Sequence, residues 1–479
     1  MTSQAAHSRA TTRPHSVVLL LLLILLVSAS GHARDYFASP ESGRCTTTTC
    51  ACVTPAAQCS LNRELLQRLK PGDTLSLQPG TYGSLRISDL HGSAEQPIII
   101  AGTDVRINGE PASQVQGAHP ASGDAIEIRE SSHLILRHLS LKGARRAGIR
   151  INNSHNITIT DSYFANNGVW GIFSNHSNDI TITDNTLIGP AQQHGIYLSN
   201  SGDRGLIARN HIHGFDACGI QLNGDLSMGG GDEVPADGLI SDVRIEHNLI
   251  SGNGRVGGSA INLDGAIGTQ IVGNLLLNNR AAGVAMFQID GGAPSSGTRI
   301  ESNLILGADE ARSLIINGDG AQAQTIIDNI LVARNPGRPV LEIKIENENS
   351  LLGFSLLPDS VPITLENNHY AMPRDFASIN DRRLRSLDDW RANYPDEGSQ
   401  LFEVDAFLRW ESAEIRKERQ AAQQHGEKGE TAENGAQNQV SVPSERLHKV
   451  PAPALHLAKD RAPLRKNPYL HLLSAPDMP

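Results

Sequence analysis

The chain has a single long apolar run, and this limits its relation to membranes. The run is VVLLLLLILLV at residues 17–27; it is too short for a comfortable membrane span, and no second run follows it. Together with Arg9, Arg13 and the small residues up to Ala33, it predicts a secretory signal peptide at residues 1–33. A retained N-terminal anchor is the alternative, and the absence of Cys at the expected cleavage point argues against a bacterial lipoprotein. We expect a secreted or periplasmic protein with no membrane span in the mature chain.

Positive charge is also in short supply. The formal net charge is −10, and residues 1–33 hold two Arg and no Asp or Glu, so their removal takes the charge from −10 to about −12. This acidic balance argues against nucleic acid as a partner. An anionic polysaccharide would need a local basic patch or a bridging metal cation.

Cysteine is scarce, and four of the five residues lie together after the signal peptide. These four are Cys45, Cys50, Cys52 and Cys59. In an exported chain they predict two disulfides, in one of three pairings, within an N-terminal segment at residues 34–61. A zinc site is the alternative, for which the spacing is poor. Cys218 remains, and we expect a small buried residue there rather than a nucleophile.

A repeat of roughly two dozen residues runs from Asp124 to Val340. Its clearest units are residues 149–171, 172–195, 196–219 and 261–283. Each has the form G-I-x-h-x-x-S-x-x-I-x-I-x-x-N-x-I, where h is apolar, so short alternating stretches flank polar turns. A period of this length built from strands indicates a stacked solenoid. The strands are too short for independent hairpins and lack the Asn-Gly turns of a meander.

The repeat predicts an all-β fold, a single-stranded right-handed parallel β-helix. Each unit would be one coil of about three short strands, with coils stacked about 4.8 Å apart. β-Branched residues suit the pleated, buried interior. One inward stack comprises Ile149, Ile151, Ile172, Ile196, Leu198, Ile220, Leu222, Ile261 and Leu263. Another comprises Ile157, Ile159, Ile180, Ile182, Ile245 and Ile271. We expect the chain to be a monomer.

Asparagine and glycine recur at the predicted corners. We expect the Asn residues to tolerate a left-handed backbone and to hydrogen-bond the Asn one coil above. They are Asn185, Asn210, Asn248, Asn274, Asn303 and Asn329. The glycines that precede a strand are predicted corner residues too; they are Gly148, Gly171, Gly195, Gly219 and Gly283.

Several strings resemble a known superfamily. They are GDTLSLQPGTYGSLRISDLHGSAEQPIIIAG (72–102), HGIYLSNSGD (194–203), GIQLNGD (219–225) and AINLDG (260–265). With them the chain resembles the secreted right-handed β-helix proteins of the pectate-lyase-like superfamily over about residues 62–410. The resemblance implies a polysaccharide as partner and a polysaccharide lyase or epimerase as activity. It specifies the fold better than the reaction, because one such fold hosts many chemistries.

The remaining segments divide the chain around the β-helix domain at residues 62–410. Residues 62–70 predict a short helix that covers the open N-terminal end of the solenoid against edge pairing. Two polar loops, at 224–241 and 289–297, interrupt the coils on one face, and a short helix is predicted at 384–394. A low-complexity polar insertion at 411–450, disordered or helical, and a C-terminal segment at 451–479 complete the chain.

Aligned strands bring three rows of side chains together on one face. The first outward row is Arg150, Phe173, Tyr197, Gln221 and Asn262. The second is Asn152, Asn175, Ser199, Asn223 and Asp264. Just before the strands come Arg146, Trp170, His194, Cys218 and Ser259. Aromatic rings stack on pyranose faces, and amides and carboxylates hydrogen-bond sugar hydroxyls.

We therefore predict a shallow sugar groove whose substrate-binding residues are Trp170, Arg150, Gln221, Asn223, Asn262 and Asp264. In the alternative interpretation, Asn and Ser only finish the turns of an exposed sheet.

Elimination from a uronate needs a base for the C5 proton, a group that neutralises the carboxylate and an acid for the leaving oxygen. The superfamily's lyases often use Lys or Arg as base, with calcium on acidic side chains, but no Lys lies on these central rows. We predict that His194 and Tyr197 act as base and acid, as in some alginate lyases and epimerases. Arg146 or Arg150 would neutralise the uronate.

The acidic loop offers oxygen ligands for calcium, but lacks the regular spacing of an EF-hand. These ligands are Asp225, Asp232, Glu233 and Asp237. A solvated acidic loop is the alternative. Two other functions stay open: a glycoside hydrolase that uses the carboxylates of Asp225 and Asp264, and a non-catalytic carbohydrate-binding or surface β-helix.

Overall fold

The computed structural model describes residues 33–40, 51–108, 123–228, 237–317, 324–335, 337–344, 363–371, 374–392 and 394–402. The polar insertion and the C-terminal segment lie outside these ranges, as does the signal peptide apart from Ala33. Strands of two to eleven residues dominate the described part and form three long faces.

The first face is a stack of parallel strands. Its strands are β2 (Cys59–Ser60), β1 (Asp35–Ser39), β3 (Thr74–Leu77), the first part of β6 (Ile98–Asn108), the first part of β8 (Ser132–Lys142), β10 (His155–Thr160), β13 (Asn178–Thr183), β16 (Leu206–Ala208), β20 (Arg244–Glu246), β24 (Gln270–Val272), β27 (Arg299–Glu301), β30 (Gln324–Ile327), β33 (Ile363–Glu366) and β37 (Asp396–Glu397).

The second face is also a stack of parallel strands. The long strands β6 and β8 bend from the first face into the second, so their later parts belong to it. Its other strands are β4 (Gly80–Tyr82), β11 (Tyr163–Ala165), β14 (Thr186–Ile188), β17 (His211–His213), β21 (Leu249–Ser251), β25 (Leu275–Leu277), β28 (Leu304–Leu306), β31 (Ile330–Val332), β34 (His369–Ala371) and β38 (Gln400–Leu401).

The third face forms a separate sheet that is parallel up to its last strand, which is antiparallel. Its strands are β5 (Leu85–Ser88), β7 (Ile126–Arg129), β9 (Ala147–Asn152), β12 (Trp170–Asn175), β15 (Ile196–Ser199), β18 (Ile220–Asn223), β22 (Ile261–Asp264), β26 (Ala282–Phe287), β29 (Arg312–Asn317), β32 (Leu341–Lys344), β35 (Ala377–Ile379) and β36 (Arg382–Leu384). A small pair, β19 (Ile240–Ser241) with β23 (Ala266–Ile267), lies beside it.

One coil visits the three faces in turn. From β9 the chain passes to β10 and β11 and returns as β12, which pairs in parallel with β9. Because parallel crossovers are right-handed in nearly all proteins, this path makes a right-handed parallel β-helix. The predicted fold class is confirmed.

The core runs along the axis of the coils. All the residues predicted to point inward are at most 4% exposed. Burying each such Ile or Leu contributes roughly 1.5–3 kcal/mol. The alternation of apolar and polar residues in the repeat therefore predicted the interior correctly.

The asparagine ladder is confirmed, with one correction. The side-chain amide of each predicted Asn donates to the Oδ1 of the next over 3.0–3.1 Å, and the ladder continues beyond the prediction to Asn368. The left-handed backbone, however, lies one residue earlier, as at Asp184 and Arg209. The Asn conformation is thus ordinary, and what the corner needs from Asn is its buried donor and acceptor.

The strand-preceding glycines are required by close packing. A Cβ at Gly195 would lie 2.6 Å from the carbonyl oxygen of Gly219 and 2.5 Å from Ile212 Cγ2. Gly171 meets the Gly195 oxygen in the same way, at 2.5 Å. The backbones of successive coils approach so closely here that no side chain fits.

Two short helices and one disulfide lie at the ends of the described chain. Helix α1 (Arg63–Arg68) begins at Asn62, whose Oδ1 accepts the Leu65 N–H, and helix α2 is Leu387–Arg391. Neither helix is long enough to cross a bilayer. That α1 covers the open end of the solenoid stays a prediction.

The disulfide joins Cys52 to Cys59 with Cα atoms 5.4 Å apart. Of the three predicted pairings, only one contains the Cys52–Cys59 bond, and in that pairing the second disulfide would join Cys45 to Cys50. Both of these residues lie outside the described ranges.

Candidate functional site

The third face carries the predicted rows in the predicted register. Arg150 pairs with Phe173, Phe173 with Tyr197, Tyr197 with Gln221, and Gln221 with Asn262. Since inward residues alternate with them, these five side chains form one outward line across five coils. The second row, from Asn152 to Asp264, is likewise in register.

The third row needs one correction. Trp170 pairs with Ala147, so Arg146 lies one residue before the row to which it was assigned. Trp170 and His194 each lie two residues before the inward Ile that follows them, whereas Arg146 lies three residues before Ile149. Arg146 is therefore in the turn that precedes the strand. Its guanidinium still reaches the Trp170 ring, with Cζ 5.6 Å from the ring centroid.

An aromatic block occupies the middle of the face. The Trp170 and Phe173 ring centroids are 4.6 Å apart, those of Phe173 and Tyr197 are 5.3 Å apart, and those of Tyr197 and His194 are 5.0 Å apart. The Trp170 indole N–H donates to Gln193 Oε1 over 2.7 Å. The rings hold one another in place and provide an apolar surface for a flat ligand.

His194 is held by the backbone of the next coil. The Cys218 N–H donates to His194 Nδ1 over 3.2 Å. Burial lowers the pKa of His194 to about 4, so the imidazole is neutral at physiological pH. With Nδ1 accepting, the ring proton is on Nε2, so the other ring nitrogen of His194 is a hydrogen-bond donor.

The Tyr197 phenol lies between amide and acidic groups. Burial raises the pKa of Tyr197, and the carboxylates of Asp225 and Asp290 raise it further, while hydrogen bonds with Ser199 and Asn223 oppose the shift. The Asn223 side-chain amide donates to the phenol oxygen over 3.2 Å. Tyr197 is therefore a protonated phenol at neutral pH, with a donor in place to stabilise its anion.

A basic group adjoins the aromatic block on the N-terminal side. Arg150 Cζ lies 5.8 Å from the Phe173 ring centroid, and its Nε is buried with no hydrogen-bond partner in the described part of the chain. Burial, followed by the charge of Arg146, lowers the pKa of the Arg150 guanidinium. The guanidinium places a positive charge beside the aromatic rings, which is the charge that an anionic group attracts.

Two acidic residues lie near Arg146 and Arg150. Burial raises the pKa of Asp124 to about 6, against the lowering effect of the Ala147 N–H and of the nearby Arg146 and Arg150. Glu127, which pairs with Arg150 along the face, is 4% exposed.

Arg86 extends the first row on its N-terminal side. Its Nη2 lies 2.6 Å from Glu127 Oε2. Sequence reasoning missed Arg86, Asp124 and Glu127, because the rows were traced only from residue 149 onward. The alternation in LRIS (85–88) and IEIR (126–129) was the available signal.

Asp264 lies in its predicted row, but its carboxylate turns toward a loop. It accepts the backbone N–H groups of Ile289, Asp290 and Gly291 over 2.9, 3.0 and 3.2 Å, and the residue is 1% exposed. Such a carboxylate holds the 289–291 turn in position rather than facing a ligand.

Asp225 is also engaged in a turn. Its Oδ1 accepts the Ser227 N–H and hydroxyl over 2.8 and 2.6 Å. The next residue, Leu226, donates its N–H to the backbone carbonyl oxygen of Asp290. This bond joins the loop that begins at residue 224 to the loop at 289–297. Because Asp264 is buried and Asp225 is hydrogen-bonded within its own turn, neither carboxylate is placed to act on a substrate. This geometry argues against a glycoside hydrolase that uses Asp225 and Asp264 as its two catalytic carboxylates.

The calcium prediction is left untested by the structure. Asp232 and Glu233 lie outside the described residues. Within the described ranges, no group of three or more His, Cys, Asp or Glu side chains is placed to hold a metal ion. Cys218, as predicted, is a buried residue, 2% exposed.

A protein-family model matches the central part of the chain. The model described as "Right handed beta helix region" matches residues 72–210, 124–305 and 170–340, which together cover more than half of the chain. The chain belongs to the right-handed β-helix family. No curated protein matches the sequence of this β-helix protein.

Solved structures similar to this β-helix protein have different activities. Pectate lyase Pel9A is 14% identical, with a TM-score of 0.45 over 66% of this chain and 78% of that one. The A-module of the Azotobacter vinelandii mannuronan C-5 epimerase AlgE6 is 13% identical, with a TM-score of 0.42 over 69% and 91%. PfbA, a surface adhesin of Streptococcus pneumoniae, is 11% identical, with a TM-score of 0.44 over 66% and 81%. These likenesses concern the fold alone.

Proposed function

We propose that this chain is an exported β-helix protein that acts on a uronate-containing polysaccharide as a lyase or C5 epimerase. The observation that carries the proposal is the contact between the guanidinium groups of Arg146 and Arg150 and the aromatic block on one face. A uronate residue has the matching parts, because it combines a carboxylate with apolar ring faces. The Cys52–Cys59 disulfide supports export.

The reaction begins with removal of the C5 proton by a base. The electron pair moves into the carboxylate, and the resulting enolate is stabilised by the guanidinium of Arg150. In a lyase, the C4–O bond then breaks, a C4–C5 double bond forms, and the leaving oxygen takes the proton that the base removed from C5. In an epimerase, a proton returns to C5 from the opposite ring face.

We assign proton transfer to Tyr197 and hydrogen-bond donation to His194. The Nδ1 lone pair of His194 already accepts the Cys218 N–H, so the groove meets its Nε2–H. Tyr197 acts as a base only as the phenolate, to which Asn223 donates. Because burial raises the pKa of Tyr197, turnover should rise with pH through the neutral range. If His194 were the base, turnover would already be level above a pH of about 4.

The test measures unsaturated-end absorbance and reducing ends, and NMR for epimerisation, on a panel of uronate polymers across pH. Tyr197→Phe should lower turnover at least about 100-fold, the scale of one proton-transferring group. His194→Ala should also reduce it. Matched controls are Tyr163→Phe and His213→Ala, which change the same residue types on the second face. If both site variants keep full activity on a substrate that the wild type converts, the assignment of roles is wrong.

A second function is favoured by the protonation of the site. At neutral pH the groove presents a neutral His194 and a protonated Tyr197, so it offers donors and no ready base. This suits a non-catalytic carbohydrate-binding protein. Such a protein would bind a uronate oligomer yet release neither unsaturated nor reducing ends.

Repeating the polymer panel with and without a chelator tests whether calcium, predicted at the acidic loop, is needed for activity.

A further inference from the structure

The third face is accessible on one side of Tyr197 and covered on the other. Of the four predicted groove residues that follow Tyr197 along the coils, three are at most 7% exposed, namely Gln221, Asn223 and Asp264. Gln221 Oε1 accepts from Cys218 Sγ over 3.5 Å, and the Asn223 amide donates to the Tyr197 phenol. The polar groups of these side chains are therefore engaged within the chain itself.

The described residues that cover this side include a turn at 289–291, which we call the end turn. It follows β26 but folds back toward the preceding coils. Its three backbone N–H groups bind the Asp264 carboxylate, which belongs to β22. The Asp290 carbonyl oxygen accepts the N–H of Leu226, which lies in the loop after β18. The end turn thus reaches back over two coils, about 10 Å, along the edge of the face.

The end turn is packed directly on the backbone beneath it. A Cβ added at Gly291 would lie 2.5 Å from Gly265 Cα and 3.0 Å from Asp264 Oδ1. The Gly292 N–H donates to the Gly238 oxygen over 2.7 Å, which ties the turn to the loop that begins at residue 224. Because no sugar ring fits between backbones at this distance, a bound polymer cannot continue past the end turn along the second outward row.

The charges near Tyr197 oppose the same continuation. Burial raises the pKa of Tyr197, and the carboxylates of Asp225 and Asp290 lie close enough to add to this shift. Both carry the negative charge that a uronate carries, so they would repel the next uronate of a chain. The covered side is therefore closed to a polyuronate by its shape and by its charge.

The opposite side of the face stays accessible and carries positive charge. Arg129 continues the second outward row and Arg86 the first, with side chains 45% and 25% exposed. Their guanidinium groups lie 3.8 and 2.6 Å from the carboxylate of Glu127. Two guanidinium groups that share one carboxylate leave a net positive charge, which attracts further uronates of a chain.

We propose that the end turn makes this groove a site for the end of a uronate chain rather than for its middle. The terminal sugars would lie at the aromatic block beside Tyr197, and the rest of the chain would run over the N-terminal coils, past Arg150, Arg129 and Arg86. This inference rests on the proposed function, because it assigns the uronate polymer to the same face. An enzyme with such a groove acts near chain ends, and a binding protein caps them.

The experiment counts the protein molecules bound per polymer chain, by titration calorimetry and analytical ultracentrifugation, for a short and a long preparation of the same polyuronate. It is run cold, so that cleavage is slow, and with a chelator, so that no metal cation bridges the carboxylates. We expect one wild-type molecule per chain at both lengths, because each chain has one end of the recognised kind. A number that rises in proportion to chain length overturns the proposal and leaves the uronate function intact. Absence of binding to every uronate polymer refutes the proposed function and this inference together.

Two substitutions displace the end turn by different routes. Asp264→Ala removes the acceptor of its three N–H groups, and Gly291→Ala places a Cβ where Gly265 leaves no room. Each should allow more than one molecule to bind a long chain. The matched control is Asp388→Ala, at a side chain of α2 that is 96% exposed, and it should keep one molecule per chain. If both folded variants also keep one molecule per chain, the end turn does not close the groove and the proposal is wrong.

Discussion

Asn274 is the middle rung of the asparagine ladder and offers the sharpest test of how the coils are held in register. Its Nδ2 donates to Ile245 O over 2.8 Å and to Asn303 Oδ1 over 3.0 Å. Its Oδ1 accepts the N–H and the Nδ2 of Asn248 over 2.9 and 3.0 Å. The residue is 0% exposed, so water cannot replace these partners.

Asn274→Ala should lower the free energy of unfolding substantially. The backbone accepts Ala without strain, because the left-handed residue is Gly273. The substitution leaves two buried donors of Asn248 without acceptors, and each costs about 1–3 kcal/mol. The two costs together are about 2–6 kcal/mol, and partial relaxation lowers the upper bound, so we expect a total loss of about 2–5 kcal/mol.

The loss can be measured by urea denaturation together with hydrogen exchange at the Asn248 amide. Exchange at this amide should accelerate in the variant, because its acceptor is gone. The control is Gln270→Ala, an exposed position on the adjoining strand β24, where we expect a change within about 0.5 kcal/mol. If Asn274→Ala costs less than about 1 kcal/mol and the Asn248 amide stays protected from exchange, the ladder does not hold the coils in register.

Three further predictions concern protonation and accessibility at the site. Since Asp124 has its pKa raised to about 6 and lies near Arg150, a uronate oligomer should bind more tightly as pH falls through about 6. Asp124→Asn should remove this dependence in titration calorimetry, and an unchanged dependence would exclude Asp124 as its source. His194 should stay neutral, with its proton on Nε2, at every pH well above its pKa of about 4; histidine NMR showing a midpoint near the ordinary value would contradict the burial argument. Burial raises the pKa of Cys218 to about 12, so a thiol reagent should label it only after unfolding, and rapid labelling of the native protein would show that it is accessible.

Local periodicity was sufficient to predict most of the fold. Inward and outward side chains alternate with a period of two, and each coil repeats the preceding one, so equivalent positions such as Ile172 and Ile196 could be aligned without a structure. The same alignment brought Trp170, His194 and Tyr197 together. It failed at Arg146, which lies three residues before Ile149, because the residue that pairs with Trp170 is Ala147, two residues before Ile149.

The sequence by itself therefore determined the stack of coils, the composition of the core and the row of aromatic side chains, because all three follow from contacts that recur with every repeat. Only the tertiary structure decided which hydrogen-bond partners individual polar side chains have. Asp264 serves the 289–291 loop because an insertion of irregular length folds back onto it, and His194 presents Nε2–H because a backbone N–H from the next coil takes its other nitrogen. Such assignments depend on atoms that meet once in the molecule, and a repeat carries no information about contacts that do not repeat.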